Sequence, residues 1–282
     1  MTKKKYIFVG GCPRSGTTLL KRILDAHTQI YCGPEFGHLA PLCERYRVMK
    51  RGVDADRLSA YFDHEALRGI YGEFIDRLLS SHLTENNVTY IAEKTPDNVM
   101  VFAELHELFP DARFVEIVRH PLDVIASYKR VSQRAGEGLK KNKDSALVAV
   151  DNAARKWVSS VGSVAGSPAA GRPEFMSHYM RIRYEDLVSK PRDIVQTLVT
   201  FLDLPFEDGM LDTERDLKGD AVSFGGVFYT ESEYKSGISA SRIATWEQEL
   251  TDDELRIVLP IVIPAAVELG YVEPRQFRKY LK

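Results

Sequence analysis

The sequence predicts an α/β protein, a three-layer arrangement with a central, mostly parallel sheet flanked by helices. Three observations carry this. Short apolar runs of strand type alternate with longer stretches of helical periodicity, a pattern that sets parallel strands between crossover helices. The first run opens directly into a glycine-framed turn and then a helix, the βα start of a nucleotide-binding unit. The 282 residues are 44% hydrophobic and 28% charged, which is enough apolar material for one sizeable core and excludes a fibrous or mostly disordered chain.

Taken in order, Tyr6–Val9 is the first strand and Thr17–Ala26 the helix that follows its turn. Ile30–Cys32 is short and strand-like, and Gly33-Pro34 turns the chain after it. Residues 36–89 hold no convincing strand but a helical pattern at Glu65–Leu83, so they read as a helical insertion between core strands. Tyr90–Ala92, Arg113–Val118 and Tyr179–Ile182 are the further strands. Val99–Phe109, Leu122–Arg134, Ser145–Val161 and Ile194–Leu202 are the helices between and after them. Gly162–Pro173, made of small residues with glycine and proline, reads as a surface loop. Residues 218–241 are rich in Gly, Ser and Tyr without periodicity, as a lid over a site would be. The basic run Arg134–Lys143 reads as a solvated face and the tail Arg275–Lys282 as surface decoration. No repeat of 20–50 residues is present, and the expectation is one domain over residues 1–282.

Charge and cysteine content narrow the setting. The 38 basic and 40 acidic residues give a net charge of −2, which argues against a nucleic-acid or membrane-surface partner but leaves room for a local anion site. Three cysteines without a CxxC pair speak against a disulfide framework or a cysteine zinc site. The apolar run Tyr6–Val9 is too short for a signal peptide, and Ile257–Val267, with Pro260 and Pro264, is too short to span a bilayer. A cytoplasmic protein is the expectation.

The strongest signal is Gly11-Cys-Pro-Arg-Ser-Gly16-Thr17-Thr18, directly after a strand and opening a helix. This is the G-x4-G frame of a P-loop, whose backbone N–H groups face a phosphate at the positive end of a helix dipole. The predicted architecture is thus a three-layer P-loop fold. Arg14 adds a fork-shaped cation, and Thr17 and Thr18 add hydroxyl donors. Two departures matter. Thr17 stands where a nucleoside-triphosphate P-loop has lysine, and the strand Phe114–Val118 ends in Arg119-His120-Pro121, not in a metal-holding aspartate. Arginines at both places suit a nucleotide with phosphates at separate positions, bound without metal. No HxH, HExxH or carboxylate cluster points to a metal site.

These segments resemble the sulfotransferases that use 3′-phosphoadenosine 5′-phosphosulfate (PAPS). Pro13-Arg-Ser-Gly-Thr-Thr-Leu19 is similar to the family's 5′-phosphosulfate loop, Val118-Arg-His-Pro-Leu-Asp-Val-Ile-Ala-Ser127 to its 3′-phosphate segment, and Arg183-Tyr-Glu-Asp-Leu187 to its RYEDL segment. The resemblance implies that Arg14, Ser15, Gly16, Thr17 and Thr18 hold the 5′-phosphosulfate, Arg119 and Ser127 the 3′-phosphate, and that Tyr184 lies near the nucleotide. Ser127, two turns into the helix begun by Pro121, can return to the strand end. The PRSGTTLL, LDAH and CGPE stretches look closest to tyrosylprotein sulfotransferases and bacterial relatives, whose segment at this place carries the general base. The matching residue is Glu35, while Pro34 and Phe36-Gly37 depart from that family's pattern.

Sulfuryl transfer needs positioning, fixed cations and a base for the acceptor hydroxyl. Glu35 is the expected base, with His38 and His120 as rivals because cytosolic small-molecule sulfotransferases use histidine. Lys94 ends a predicted strand, where open α/β sheets bind ligands. There it can neutralise the leaving bridging oxygen, and the resemblance agrees because the family has a lysine in this segment; Arg14, which with Thr18 binds the 5′-phosphosulfate, is the other expected catalytic cation. His27 in Leu-Asp-Ala-His reads as structural, and Lys235, Ser236 and Arg242 as lid contacts. The function expected is transfer of a sulfuryl group from PAPS, without metal, to a hydroxyl of a peptide tyrosine, a sugar or a small metabolite. The competing readings are an atypical P-loop kinase of small molecules and a non-catalytic nucleotide-binding protein.

Overall fold

The computed structural model describes residues 5–81, 88–135, 143–214 and 236–280. Five strands, β1 (Lys5–Gly10), β2 (Ile30–Cys32), β3 (Tyr90–Lys94), β4 (Arg113–Val118) and β5 (Tyr179–Arg183), form one sheet in the order β2-β3-β1-β4-β5. Every pairing is parallel. The brief Ile30–Cys32 holds its place at the edge by pairing Ile30 with Tyr90 and Cys32 with Ala92.

The helices are α1 (Thr17–Asp25), α2 (Leu39–Asp54), α3 (His64–Ser80), α4 (Phe102–Leu108), α5 (Pro121–Ala135), α6 (Lys143–Ser163), α7 (Pro173–Met176), α8 (Tyr184–Ser189), α9 (Pro191–Phe201), α10 (Trp246–Glu249) and α11 (Asp252–Glu268). Strand alternation sorts them into layers. Ile7 and Val9 of β1 join a buried cluster with Leu20 and Leu24 of α1 and Leu198 of α9. Tyr6 and Phe8, one residue out of phase, join another with Leu39 and Cys43 of α2, Ile75 of α3 and Leu105 of α4. The helical stretch within residues 36–89 thus packs on one face of the sheet. A third cluster unites Leu122 and Ile125 of α5, Trp157 of α6 and Val258 and Leu259 of α11.

Local signals account for the helix ends. Asp63 caps α3 by accepting from the Ala66 N–H, and Thr251 with Glu254 forms a capping box on α11. The predicted helix Val99–Phe109 is split into a 3-10 turn, Pro96–Val101, and α4, because a proline start favours the tighter first turn. The Ile257–Val267 stretch lies in α11, which runs through both Pro260 and Pro264. No helix among the described residues is long and apolar enough to cross a membrane.

The expected surface loop Gly162–Pro173 is mostly exposed, although it begins inside the last turn of α6 and sends Val164 and Ala169 into the core. The C-terminal tail is more than decoration: Pro274–Tyr280 is a 3-10 segment whose Phe277 is buried against the layer that holds α11. Of the predicted lid, residues 218–235 lie outside the described residues, as does most of the basic run Arg134–Lys143.

Candidate active site

Strand order sets the site. β1 lies between β3 and β4, with Val9 paired to Lys94 and Gly10 to Glu116. The turn leaving β1 therefore emerges with the carboxyl end of β3 on one side and that of β4 on the other. From β1 the chain goes first to β2 and β3, then crosses to β4, so this is the switch point where open α/β sheets bind ligands.

The turn needs its glycines. Gly11 has φ of +148°, and a Cβ there would stand 2.3 Å from the Ile117 carbonyl oxygen. Gly16 has φ of +99°, and a Cβ there would meet the Tyr184 ring at 2.6 Å. Arg14 itself sits in the left-handed region, with φ of 72°, a conformation that a non-glycine residue adopts at a cost and that marks functional turns. No side chain caps the start of α1, so the first-turn N–H groups and the positive end of its dipole are directed at the turn. Ser15 and Thr17 are buried within it, and the Ser15 hydroxyl has no hydrogen-bond partner.

On the β4 side the turn opens into a cavity of about 360 Å³. Six arginines line it (14, 22, 119, 130, 134 and 242), and no carboxylate does among the described residues. Arg14 Nε donates to Ser127 Oγ at 3.0 Å. Arg119, buried at the end of β4, spans the floor. One terminal nitrogen donates to the Arg14 carbonyl at 3.1 Å and the other to the Arg242 carbonyl, while the guanidinium lies 4.4 Å from the centre of the Tyr184 ring. Trp157 fixes that strand end by donating to the Arg119 carbonyl at 3.0 Å. Gly16, Thr18, Ser236 and Ser241 line the same cavity. The structure thus brings Arg14, Gly16, Thr18, Arg119, Ser127 and Tyr184 together, with Ser236 and Arg242 of the lid contacts. Lys235 lies outside the described residues.

Sequence reasoning missed Arg22 and Arg130, and its solvated-face reading of Arg134 is corrected, since Arg134 lines the cavity. The signal was helical spacing. Arg22 is one turn beyond Thr18 on α1, and Arg130 and Arg134 are one and two turns beyond Ser127 on α5, so each shares the face of a residue already aimed at the cavity. Arg22 is almost fully buried and donates to the Thr213 carbonyl at 2.8 Å. Arg130 pairs with Glu249, and burial pushes its pKa below the usual arginine value.

Glu35 and Lys94 stand on the other side of the turn and do not line that cavity. Lys94, only 4% exposed at the end of β3, donates directly to the Glu35 carboxylate. The Glu35 side chain remains 48% exposed. A half-exposed carboxylate paired with a buried cation beside a glycine turn is an arrangement that can take a proton and offset negative charge nearby.

The rival histidines are placed differently. His120 stacks parallel to Trp246 at 6.1 Å and meets Tyr271 edge-on at 5.6 Å, with its backbone N–H donating to Glu185. Burial pushes its pKa down to about 4, so it is neutral at physiological pH, and it does not line the cavity. His38 is exposed at the start of α2, edge-on to Phe36 at 5.4 Å. His27 is fully buried. Its Nδ1 accepts from the Gln29 N–H, which leaves the proton on Nε2, 3.0 Å from the Pro205 carbonyl. That is a structural role.

No group of three or more His, Cys, Asp or Glu side chains among the described residues is placed to hold a metal ion. Residues 6–208 match a model described as the sulfotransferase family. Protein-tyrosine sulfotransferase 1 of Danio rerio is 26% identical over 277 residues, covering 94% of this chain and 72% of the relative. Nodulation protein NoeE of Sinorhizobium fredii is 28% identical over 292 residues, covering 95% of this chain and 66% of the relative. The fold is shared with the sulfotransferase domain of the Synechococcus PCC 7002 olefin synthase at a TM-score of 0.65, with 20% identity and coverage of 97% of this chain and 98% of that one.

Proposed function

The chain belongs to the sulfotransferase family, and from that premise we propose that it moves a sulfuryl group from PAPS to a hydroxyl acceptor, with Glu35 as base and Lys94 and Arg14 as the cations of the transfer. The observation that carries this reading is the division of labour around one turn. An arginine-lined, carboxylate-free cavity lies on the β4 side and a carboxylate–ammonium pair on the β3 side.

In this reading Arg119, Ser127 and their arginine neighbours take the 3′-phosphate, and the N-terminus of α1 with Ser15, Gly16, Thr17 and Thr18 takes the 5′-phosphosulfate. The Tyr184 ring, pinned between Gly16 and Arg119, lies beside the nucleotide. Glu35 accepts the hydroxyl proton as the acceptor oxygen bonds to sulfur. Lys94 offsets the charge left on the bridging oxygen as the old S–O bond breaks, giving 3′-phosphoadenosine 5′-phosphate. Positioned cations in a partly dry site supply most of such a rate. The hydroxyl classes open to it are peptide tyrosine, carbohydrate and small metabolites. The relatives named protein-tyrosine sulfotransferases favour a phenolic hydroxyl, whereas Pro34, Phe36 and Gly37 give this chain its own acceptor side.

Calorimetry tests the donor. Binding of 3′,5′-adenosine bisphosphate at low micromolar or better affinity without magnesium is expected. Tighter, magnesium-dependent binding of ATP would favour the atypical-kinase reading and overturn this one.

A further inference from the structure

A base needs a fixed backbone, and Glu35 lies in a short turn outside any helix or strand. What fixes it is a second carboxylate, on the opposite face of β3 from Lys94. Glu93 is only 4% exposed, an expensive place for a carboxylate unless every oxygen is served. Its Oε1 accepts from the Phe36 N–H at 3.0 Å and from the Thr95 hydroxyl at 2.6 Å. Its Oε2 accepts from the Asn98 side-chain amide. Thr95 Oγ1 in turn accepts from the Gly37 N–H at 3.1 Å. Thr95 thus accepts from the Gly37 N–H and donates its hydroxyl proton to Glu93. Asn98 is oriented likewise, since the same NH2 group donates to the Val9 carbonyl at 3.1 Å.

The network joins two things that chemistry requires to be in line. Val9 is the penultimate residue of β1, two before Gly11, and Phe36 and Gly37 are the two residues just after Glu35. From Val9 through Asn98 and Glu93 to Phe36 the links are hydrogen bonds among buried or half-buried groups. Charge-assisted bonds of this kind are short and directional.

We propose that Glu93, with Thr95 and Asn98, is a positioning residue that clamps the backbone behind Glu35 to the strand that carries the phosphate turn, and so sets the line between acceptor oxygen and donor sulfur. The proposal rests on Glu35 being the base. The clamp acts through Glu35 and touches neither nucleotide nor acceptor.

The test is a double-mutant cycle on turnover of radiolabelled PAPS, with p-nitrophenol as acceptor and water as the fallback acceptor. Glu93→Ala is expected to lower kcat by about 10- to 100-fold, as misplacement by an ångström does. Thr95→Val, a milder cut that keeps Phe36 tethered but removes the hydroxyl serving Gly37 and Glu93, is expected to lower kcat by about 3- to 10-fold. Glu93→Gln, which keeps an acceptor for Phe36 and Thr95 but sets its NH2 against the Asn98 NH2, should recover only part of the activity lost in Glu93→Ala. Affinity for 3′,5′-adenosine bisphosphate should stay within about 3-fold in all three, since the arginine cavity is untouched. In a Glu35→Ala background Glu93→Ala should add nothing. By hydrogen exchange, the Phe36 and Gly37 amides should be protected in the wild type and exposed in Glu93→Ala while the β1 amides stay protected.

Additive losses, a fall in nucleotide affinity that matches the fall in kcat, or no protection at Phe36 in the wild type would overturn the clamp while leaving Glu35 as base. Undiminished turnover in Glu35→Ala alone would instead remove the base and the clamp with it.

Discussion

Lys94 and Glu35, 59 positions apart in sequence, form a direct ion pair in which the cation is buried and the carboxylate is half in water. The asymmetry has an energetic consequence. Glu35→Gln leaves a buried ammonium facing a neutral amide, which should cost about 1–3 kcal/mol of stability, whereas in Lys94→Met the exposed carboxylate regains water and the loss should be smaller. Both should lower turnover by about 100-fold or more. Thermal melts set beside PAPS turnover check the order; a larger stability loss in Lys94→Met would contradict it.

Arg119 reaches two backbone carbonyls with its two terminal nitrogens while lying on the Tyr184 ring. A lysine cannot fork or stack in this way. Arg119→Lys should therefore weaken 3′,5′-adenosine bisphosphate by about 10- to 100-fold and leave ADP, which lacks the 3′-phosphate, nearly unchanged. Calorimetry with the two nucleotides measures that ratio.

Gly16 combines a left-handed backbone with a ring at 2.6 Å from the missing Cβ. Gly16→Ala should move Tyr184, or the turn, at a cost of about 1–3 kcal/mol, and abolish detectable nucleotide binding. An unchanged melting temperature with full affinity would show that the turn tolerates a side chain.

His120 gives a pH prediction. Its folded pKa of about 4 lies below the ordinary 6.5, so between these values the unfolded chain binds the extra proton and the folded one does not. Stability from this site is thus complete above about pH 6.5 and is lost as the pH falls toward 4. His120→Phe, which keeps the packing against Trp246 and Tyr271, should flatten the fall in melting temperature over that window. Its activity profile above pH 6.5 should match the wild type, since His120 is not the base. A shifted activity profile would return His120 to candidacy.

Much of this was legible in the sequence because its signals are local. A strand, a glycine frame and a helix in succession mark Arg14 to Thr18, and the resemblance of Val118–Ser127 to a 3′-phosphate segment singled out Arg119 and Ser127. What stayed hidden depends on how elements face each other. Arg22, Arg130 and Arg134 become one wall only when α1 and α5 converge. Glu93 reads as an ordinary charged residue until the register of β3 buries it behind Phe36. Phe277 sits in a polar tail and is placed by the layer it enters, not by any pattern around it.

One late segment closes the site. Asp123 on α5 accepts from the backbone N–H groups of Ala244 and Trp246 and from the Thr245 hydroxyl, and Arg119 donates to Arg242. During synthesis, then, all five strands and the glycine turn can leave the ribosome while the arginine-lined cavity still lacks a wall. A chain stopped after Phe201 would carry every strand and the glycine turn yet lack Ser236, Ser241 and Arg242 of the cavity wall.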